Sequence, residues 1–124
     1  MALTESKMLS LGTTAPAFEA LDTITDTTLS LNELKSEKAT VIMFICNHCP
    51  YVIHVNEALV RLANDYIPKG VSFIAISSND IEKYPVDSPD NMKAHALDEG
   101  YPFPYLYDET QDIAKAYDAA CTPD

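Results

Sequence analysis

The 124-residue sequence predicts a single α/β domain over residues 1–124, built on a mainly parallel β-sheet. Two almost continuously apolar runs, at 39–45 and 71–77, are typical of strands covered on both faces. Helical patterns follow both runs, so strands and helices alternate along the chain. Because such alternation favours right-handed crossovers between parallel strands, we expect a layered α/β fold.

A short N-terminal segment precedes the first of these strands. A strand is expected over 18–21, and the polar segment 22–28 is expected to be a turn. Ser30 and Glu33 have the spacing of a capping box, in which each side chain satisfies a backbone N–H of the other residue. This pair predicts a helix of one or two turns over 31–35.

The chain is organised around the stretch that follows the first apolar run. Residues 39–45 lead into Cys46-Asn47-His48-Cys49-Pro50, and an amphipathic run over 51–66 leads out. This order predicts a central strand, an exposed turn and a core-facing helix whose first turn carries both cysteines. The predicted apolar stripe of that helix consists of Val52, Val55, Leu59, Leu62 and Tyr66.

The second half of the chain repeats the alternation. Its predicted elements are a strand over 71–77, a polar loop over 78–87, a helix over 89–98, a strand over 105–107 and a helix over 109–117. Ser88 and Asp108 are the expected caps of the two helices, and Gly100 ends the first of them.

Composition excludes several classes of partner. The chain has 19 acidic and 8 basic residues, a net charge of −11, which argues against nucleic acid and anionic membranes. No apolar run is long enough to span a bilayer, and the first residues do not resemble a signal peptide. We therefore expect a cytoplasmic protein, in which three cysteines are catalytic, metal-binding or inert rather than a structural disulfide framework.

The two cysteines at 46 and 49 point to redox chemistry. Cysteines three residues apart at the start of a helix can close a small disulfide ring, so Cys46 and Cys49 predict a dithiol/disulfide centre. Backbone N–H groups and the positive helix end stabilise a thiolate, which predicts a lowered pKa for Cys46. Pro50 suits the first helical turn, where its missing N–H costs no hydrogen bond.

Motifs along nearly the whole chain carry a family resemblance. They are Leu11-Gly12, Ala15-Pro16, Phe18, the strand into Cys46-Asn47-His48-Cys49-Pro50, the strand 71–77, Phe103-Pro104, Asp108, Ala114, Tyr117 and Thr122-Pro123. Together they resemble the thioredoxin-like superfamily, and more closely its alkyl hydroperoxide reductase/thiol-specific antioxidant branch.

The resemblance implies a role for each matching residue. Cys46 matches the attacking cysteine, Cys49 the resolving cysteine and Pro123 the cis-proline that faces the disulfide, with Thr122 before it. The implied fold is thioredoxin-like with an N-terminal extension, lacking the C-terminal β-hairpin and last helix. An open sheet edge would follow, and we expect a fragment, a swapped form, a covering partner or a homo-oligomer joined through that edge.

Three positions depart from the family pattern. Ile45 stands where a tryptophan often precedes the first cysteine, and Thr40 stands where thioredoxins carry a buried acid. The Pro-x-x-x-Thr-x-x-Cys signature of typical peroxiredoxins is absent around Cys46 and Cys49. These departures predict a different proton route and put peroxidase activity of that type in doubt.

The leading functional hypothesis is a thiol–disulfide oxidoreductase. Its substrate would be a protein or low-molecular-weight disulfide, and an external thiol donor would reduce it again. No nucleotide-binding signature is visible, so no cofactor is predicted. Asn47, Pro50 and Thr122 are expected to modulate the centre, and a protonated His48 would stabilise a thiolate, although a solvated turn residue is an equal alternative.

Three alternatives stay open. The first is a thiol peroxidase of the peroxiredoxin type, and the second is a redox-inert thioredoxin-fold module. The third is a metal site, for which Cys46, His48, Cys49 and Cys121 could supply four ligands. Cys121 alone is expected to be a small buried filler or a third redox thiol. A solvated acidic face, rather than a calcium site, is expected of Asp80, Glu82, Asp87 and Asp90.

Overall fold

The computed structural model describes residues 5–124, which form a five-stranded sheet with helices on both faces. The strands are β1 (Glu19–Asp22), β2 (Thr27–Ser30), β3 (Ala39–Phe44), β4 (Val71–Ser77) and β5 (Tyr105–Tyr107). The α-helices are α1 (Leu31–Leu34), α2 (Pro50–Tyr66), α3 (Pro89–Glu99) and α4 (Asp112–Ala116). Short 3₁₀ turns cover Ile67–Lys69 and Pro85–Asp87. The α/β, thioredoxin-like architecture predicted from the sequence is confirmed.

The sheet is mixed rather than mainly parallel. Its strand order is β2-β1-β5-β4-β3, with β3, β4 and β5 parallel and β1 antiparallel to both β5 and β2. Strand β2 lies partly in the segment predicted as a turn. It pairs back onto β1 across a tight connection in which Asp26 adopts a left-handed φ of 59°, so threonine-rich sequence forms a hairpin strand.

Among the strands of residues 5–124, β3 lies at one edge of the sheet, and the predicted burial on both faces is wrong for most of its length. Val41 is 38% exposed, and only the last two residues of the strand are buried. Phe44 and Asp124 exchange two backbone hydrogen bonds of 2.8 and 3.0 Å beside this edge. The predicted association of copies through the edge stays a prediction.

Two hydrophobic clusters occupy the two faces of the sheet. Successive residues of β4 alternate between them, because side chains of a strand point to opposite faces. The cysteine face contains both CxxC cysteines and the buried residues of α2 and α3, namely Met43, Ile45, Cys46, Cys49, Val52, Ala63, Phe73, Ala75, Met92, Ala96, Tyr101, Phe103 and Tyr105. The apolar face contains Phe18, Ala20, Phe44, Ile74, Ile76, Leu106 and Ile113.

Helix α2 is rotated relative to its predicted apolar stripe. Val52, Asn56 and Ala63 are buried, whereas Leu62 and Tyr66 are 45% and 43% exposed. Asn56 takes a core position because its amide is hydrogen-bonded to residues outside the helix, so a polar residue lies where periodicity favoured leucine.

Helix α4 begins three residues later than predicted. Gln111 is its N-cap, and the left-handed φ of 66° at this residue ends the turn that precedes the helix. Asp108 still serves the helix, because its carboxylate accepts hydrogen bonds from the N–H groups of Ile113 and Ala114. The capping box of Ser30 and Glu33 and the glycine end of α3 are confirmed.

Candidate active site

The two cysteines lie in the connection between β3 and α2. The helix begins at Pro50 with Cys49 as its N-cap, so Cys46, Asn47 and His48 precede it. The prediction that the first helical turn carries both cysteines is therefore wrong for Cys46. The expected place of Pro50, at the first helical position, is confirmed.

Both sulfurs contact the same residue near the end of the chain. Cys46 Sγ lies 3.7 Å from Thr122 Oγ1, and Cys49 Sγ donates to the Thr122 carbonyl oxygen at 3.4 Å. The Thr122–Pro123 peptide bond is cis, as predicted. Both cysteines are buried and only 1% exposed. The fold thus brings together the four residues that the sequence singled out.

The Cys46 thiol is not activated in the way the sequence suggested. Burial raises the pKa of Cys46 to about 11, and the charges of Asp87 and Cys49 act in the same direction. Hydrogen bonds from Thr122 and the Cys49 backbone act against this rise. The predicted lowering of the pKa is wrong because Cys46 is buried, lies outside the helix and is next to a buried carboxylate.

Asp87 is the candidate site residue that sequence reasoning missed. Its side chain is fully buried rather than part of a solvated acidic face. The carboxylate accepts hydrogen bonds of 2.8 Å from the Asn47 N–H and from the Asn79 side-chain amide. By contrast, Thr40, at the position of the thioredoxin acid, accepts a hydrogen bond from the Ser36 N–H. A buried acid is therefore present at the centre, but it comes from the loop after β4.

His48 lies between this carboxylate and the solvent. Its Nδ1 atom is 2.6 Å from Asp87 Oδ2, and its ring stacks on Tyr84 with centroids 4.8 Å apart. The Nδ1 atom is buried, and the close approach to Asp87 does not have hydrogen-bond geometry. The alternative of a freely solvated turn residue is thereby excluded, since His48 is fixed on two sides.

A network of buried hydrogen bonds holds the turn that contains Cys46 and Cys49. The Asn47 side chain donates to the Val86 carbonyl at 2.9 Å and accepts from the Tyr105 hydroxyl at 2.9 Å. Tyr105 is fully buried in the central part of the sheet, and Tyr101 stacks against it edge-on. The Tyr105 hydroxyl therefore positions the cysteine turn, while the Tyr101 hydroxyl donates to Asn56 on α2.

Cys121 lies beside the centre rather than in it. It is half-buried, with its Sγ 3.5 Å from Ser6 Oγ and 3.8 Å from the Pro123 carbonyl oxygen. An open cavity of about 1180 Å³ is lined by Cys46, Cys49, Cys121 and Pro123. Of the described residues, those whose ligand atoms all come within 4.8 Å of one another are Cys46, His48 and Asp87. The four-ligand set predicted with Cys49 and Cys121 is therefore wrong.

Comparison with known proteins identifies the family. A model of the AhpC/TSA family matches residues 11–124. The chain belongs to this family. The resemblance to the redoxin branch of the thioredoxin-like superfamily is thereby confirmed. A search of curated proteins finds no match.

Solved structures support the same fold. An uncharacterized conserved protein from Geobacillus kaustophilus is 66% identical, with a TM-score of 0.95 over 96% of this chain and 63% of that chain. A hypothetical protein from Sinorhizobium meliloti is 41% identical, with a TM-score of 0.93 over 98% of this chain and 66% of that chain. The thioredoxin domain of a Bacteroides vulgatus thiol-disulfide oxidoreductase is 19% identical, with a TM-score of 0.72 over 94% of this chain and 79% of that chain. The chain therefore spans slightly less than two thirds of the length of the first two proteins.

Within residues 5–124, none of the helices has the length and apolar character needed to cross a bilayer.

Proposed function

We propose that the chain carries a thiol–disulfide oxidoreductase centre in which Cys46 and Cys49 alternate between dithiol and disulfide. The observation that carries the proposal is the shared contact of both sulfurs with Thr122, in one open cavity beside cis-Pro123. Thr122 therefore places both thiols beside the same residue, as a dithiol/disulfide couple requires. Both cysteines line this cavity, where a substrate disulfide would approach them.

In the proposed reaction, the Cys46 thiolate attacks one sulfur of a substrate disulfide. A mixed disulfide forms, and the other substrate sulfur leaves as a thiolate that takes up a proton. Cys49 then loses its proton and attacks Cys46 Sγ, which releases the second substrate thiol and leaves a Cys46–Cys49 disulfide. An external thiol donor, a protein or glutathione, returns two electrons and two protons.

The environment of Cys46 favours reduction of substrates over their oxidation. Strongly oxidising dithiols owe their high potentials to a stabilised thiolate in the reduced form. Here burial and the charge of Asp87 raise the pKa of Cys46 and outweigh the hydrogen bonds that stabilise its thiolate. We infer that the centre donates electrons to a protein or low-molecular-weight disulfide. A reducing compartment such as the cytoplasm, predicted from the sequence, would suit this direction.

A glutathione redox titration tests the proposal. Metal-free protein is equilibrated at graded ratios of reduced to oxidised glutathione, trapped by alkylation and weighed by mass spectrometry. We expect one reversible two-electron transition that is lost in Cys46→Ser and Cys49→Ser but kept in Cys121→Ser. Two thiols that stay unpaired at every ratio would contradict the proposal. Turnover faster with peroxide than with disulfides would instead indicate the thiol peroxidase.

A further inference from the structure

We propose that Cys46, His48 and Asp87 form a binding site for one zinc-like divalent cation in the reduced protein. The Cys46 sulfur, a ring nitrogen of His48 and a carboxylate oxygen of Asp87 lie within 4.8 Å of one another. Thiolate, imidazole and carboxylate are the three ligand types that zinc takes in proteins. Three protein ligands with a fourth position open to water are typical of exchangeable zinc sites.

His48 and Asp87 approach each other closely in this group. His48 Nδ1 is 2.6 Å from Asp87 Oδ2, yet it is buried and lacks a hydrogen-bond partner of acceptable geometry. The contact is attractive when Nδ1 carries a proton, and a cation that displaces this proton can take the nitrogen and the oxygen as ligands.

The Asp87 carboxylate is held in a fixed orientation, as carboxylates that bind metals in proteins are. The Asn47 N–H and the Asn79 amide each donate to it, and the side chain is fully buried. Hydrogen bonds of this kind orient metal-bound carboxylates in proteins. The stacking of His48 on Tyr84 fixes the imidazole in the same way. Two ligand atoms on one tetrahedral zinc ion lie about 3.3 Å apart, so the His48–Asp87 pair must open slightly from 2.6 Å to bind the ion.

Cation binding releases one proton from the site and changes no oxidation state. The Cys46 thiol releases its proton to solvent, its sulfur bonds the metal, and His48 and Asp87 each donate a lone pair. The divalent charge offsets the burial and the negative neighbour that raise the pKa of Cys46. Cation binding and thiol exchange then compete for the same sulfur. This competition rests on the proposed function, whereas the metal site itself does not.

Zinc titration of the reduced, metal-free chain against a chromophoric chelator tests the site. We expect one zinc ion per chain, with an affinity reduced at least about tenfold in Asp87→Asn and in His48→Phe, which keeps the stack on Tyr84. Matched controls are Cys121→Ser, a neighbouring thiol, and Asp90→Asn, an exposed carboxylate; both should bind as wild type. Cobalt(II) should give a thiolate-to-metal absorption band that disappears in Cys46→Ser.

Several outcomes would overturn the site. They are zinc binding by Cys46→Ser, unchanged affinity in both Asp87→Asn and His48→Phe, or an affinity that depends on Cys121. Near-ultraviolet circular dichroism of each variant separates ligand loss from a disordered loop, since a folded Asp87→Asn variant with wild-type affinity also contradicts the proposal. Thiols that bind zinc but never pair in the glutathione titration would remove the proposed function and leave this site standing.

Discussion

The two faces of the sheet bury side chains of different chemistry. On the apolar face the clustered buried residues are all hydrocarbon side chains, whereas the cysteine face holds two thiols and two tyrosines. Asn47, Asn56 and Asp87 are buried next to that second cluster and are hydrogen-bonded. We infer that the apolar face contributes mainly packing energy. The cysteine face buries hydrogen-bonded polar side chains that hold the cysteine turn in place.

The largest effect on stability is expected from a cavity in the apolar face. Ile74 is fully buried on β4, so Ile74→Ala should lower the free energy of unfolding by about 2–5 kcal/mol. The alkylation rate of Cys46 in the folded state should stay unchanged, since Ile74 points to the opposite face. Urea denaturation and mass spectrometry measure the two effects. Leu97→Ala, at a residue 65% exposed, is the control and should cost less than about 0.5 kcal/mol.

A substitution on the cysteine face is expected to lower stability less, but it should also change the reactivity of Cys46. Tyr105→Phe removes the hydroxyl that donates to the Asn47 side chain and leaves a buried acceptor unpaired. The expected loss is about 1–3 kcal/mol, together with a changed alkylation rate of Cys46. Tyr107→Phe, on the same strand but only half-buried, is the matched control. If Tyr105→Phe lowered stability without changing Cys46 reactivity, the two faces would not differ as described.

The smallest effect is expected at the capping box beside the apolar face. Ser30→Ala removes a side chain that accepts from the Glu33 N–H at 3.3 Å and caps α1. We expect a loss of about 1 kcal/mol, measured by urea denaturation, with no change in cysteine reactivity. A changed redox midpoint in this variant would show that the N-terminal segment is coupled to the centre.

Local sequence signals predicted the elements whose ends are set by local chemistry. Strands β4 and β5 match their predicted bounds, and α3 begins at the predicted Pro89, because capping residues, glycine and proline act on their own backbone. Strand β2 and the edge position of β3 were missed. Both depend on which strand is the neighbour, and pairing between distant strands leaves little local signal.

The residues of the candidate site also differ in whether local sequence signals predict them. The cysteines and Thr122-Pro123 are visible as a motif, but the burial of Asp87 depends on tertiary contacts that composition does not reveal. A topological signal was available, since β3 and β4 were predicted to be parallel neighbours. The loops after such strands meet at one edge of the sheet, so the loop carrying Asn79 and Asp87 could have been placed beside Cys46.

Burial and the charge of Asp87 together keep Cys46 protonated at neutral pH, and the pH dependence of its alkylation measures this directly. In reduced, metal-free Cys121→Ser protein, the rate of Cys46 modification by iodoacetamide is followed by peptide mass spectrometry. With a pKa of about 11, only about one thiol in ten thousand is ionised at pH 7, so the rate should rise about tenfold per pH unit up to pH 10. Asp87→Asn removes a charge that raises the pKa of Cys46 and should move the profile to lower pH. A rate that already levels off below pH 8, or a profile that Asp87→Asn leaves in place, would contradict the account.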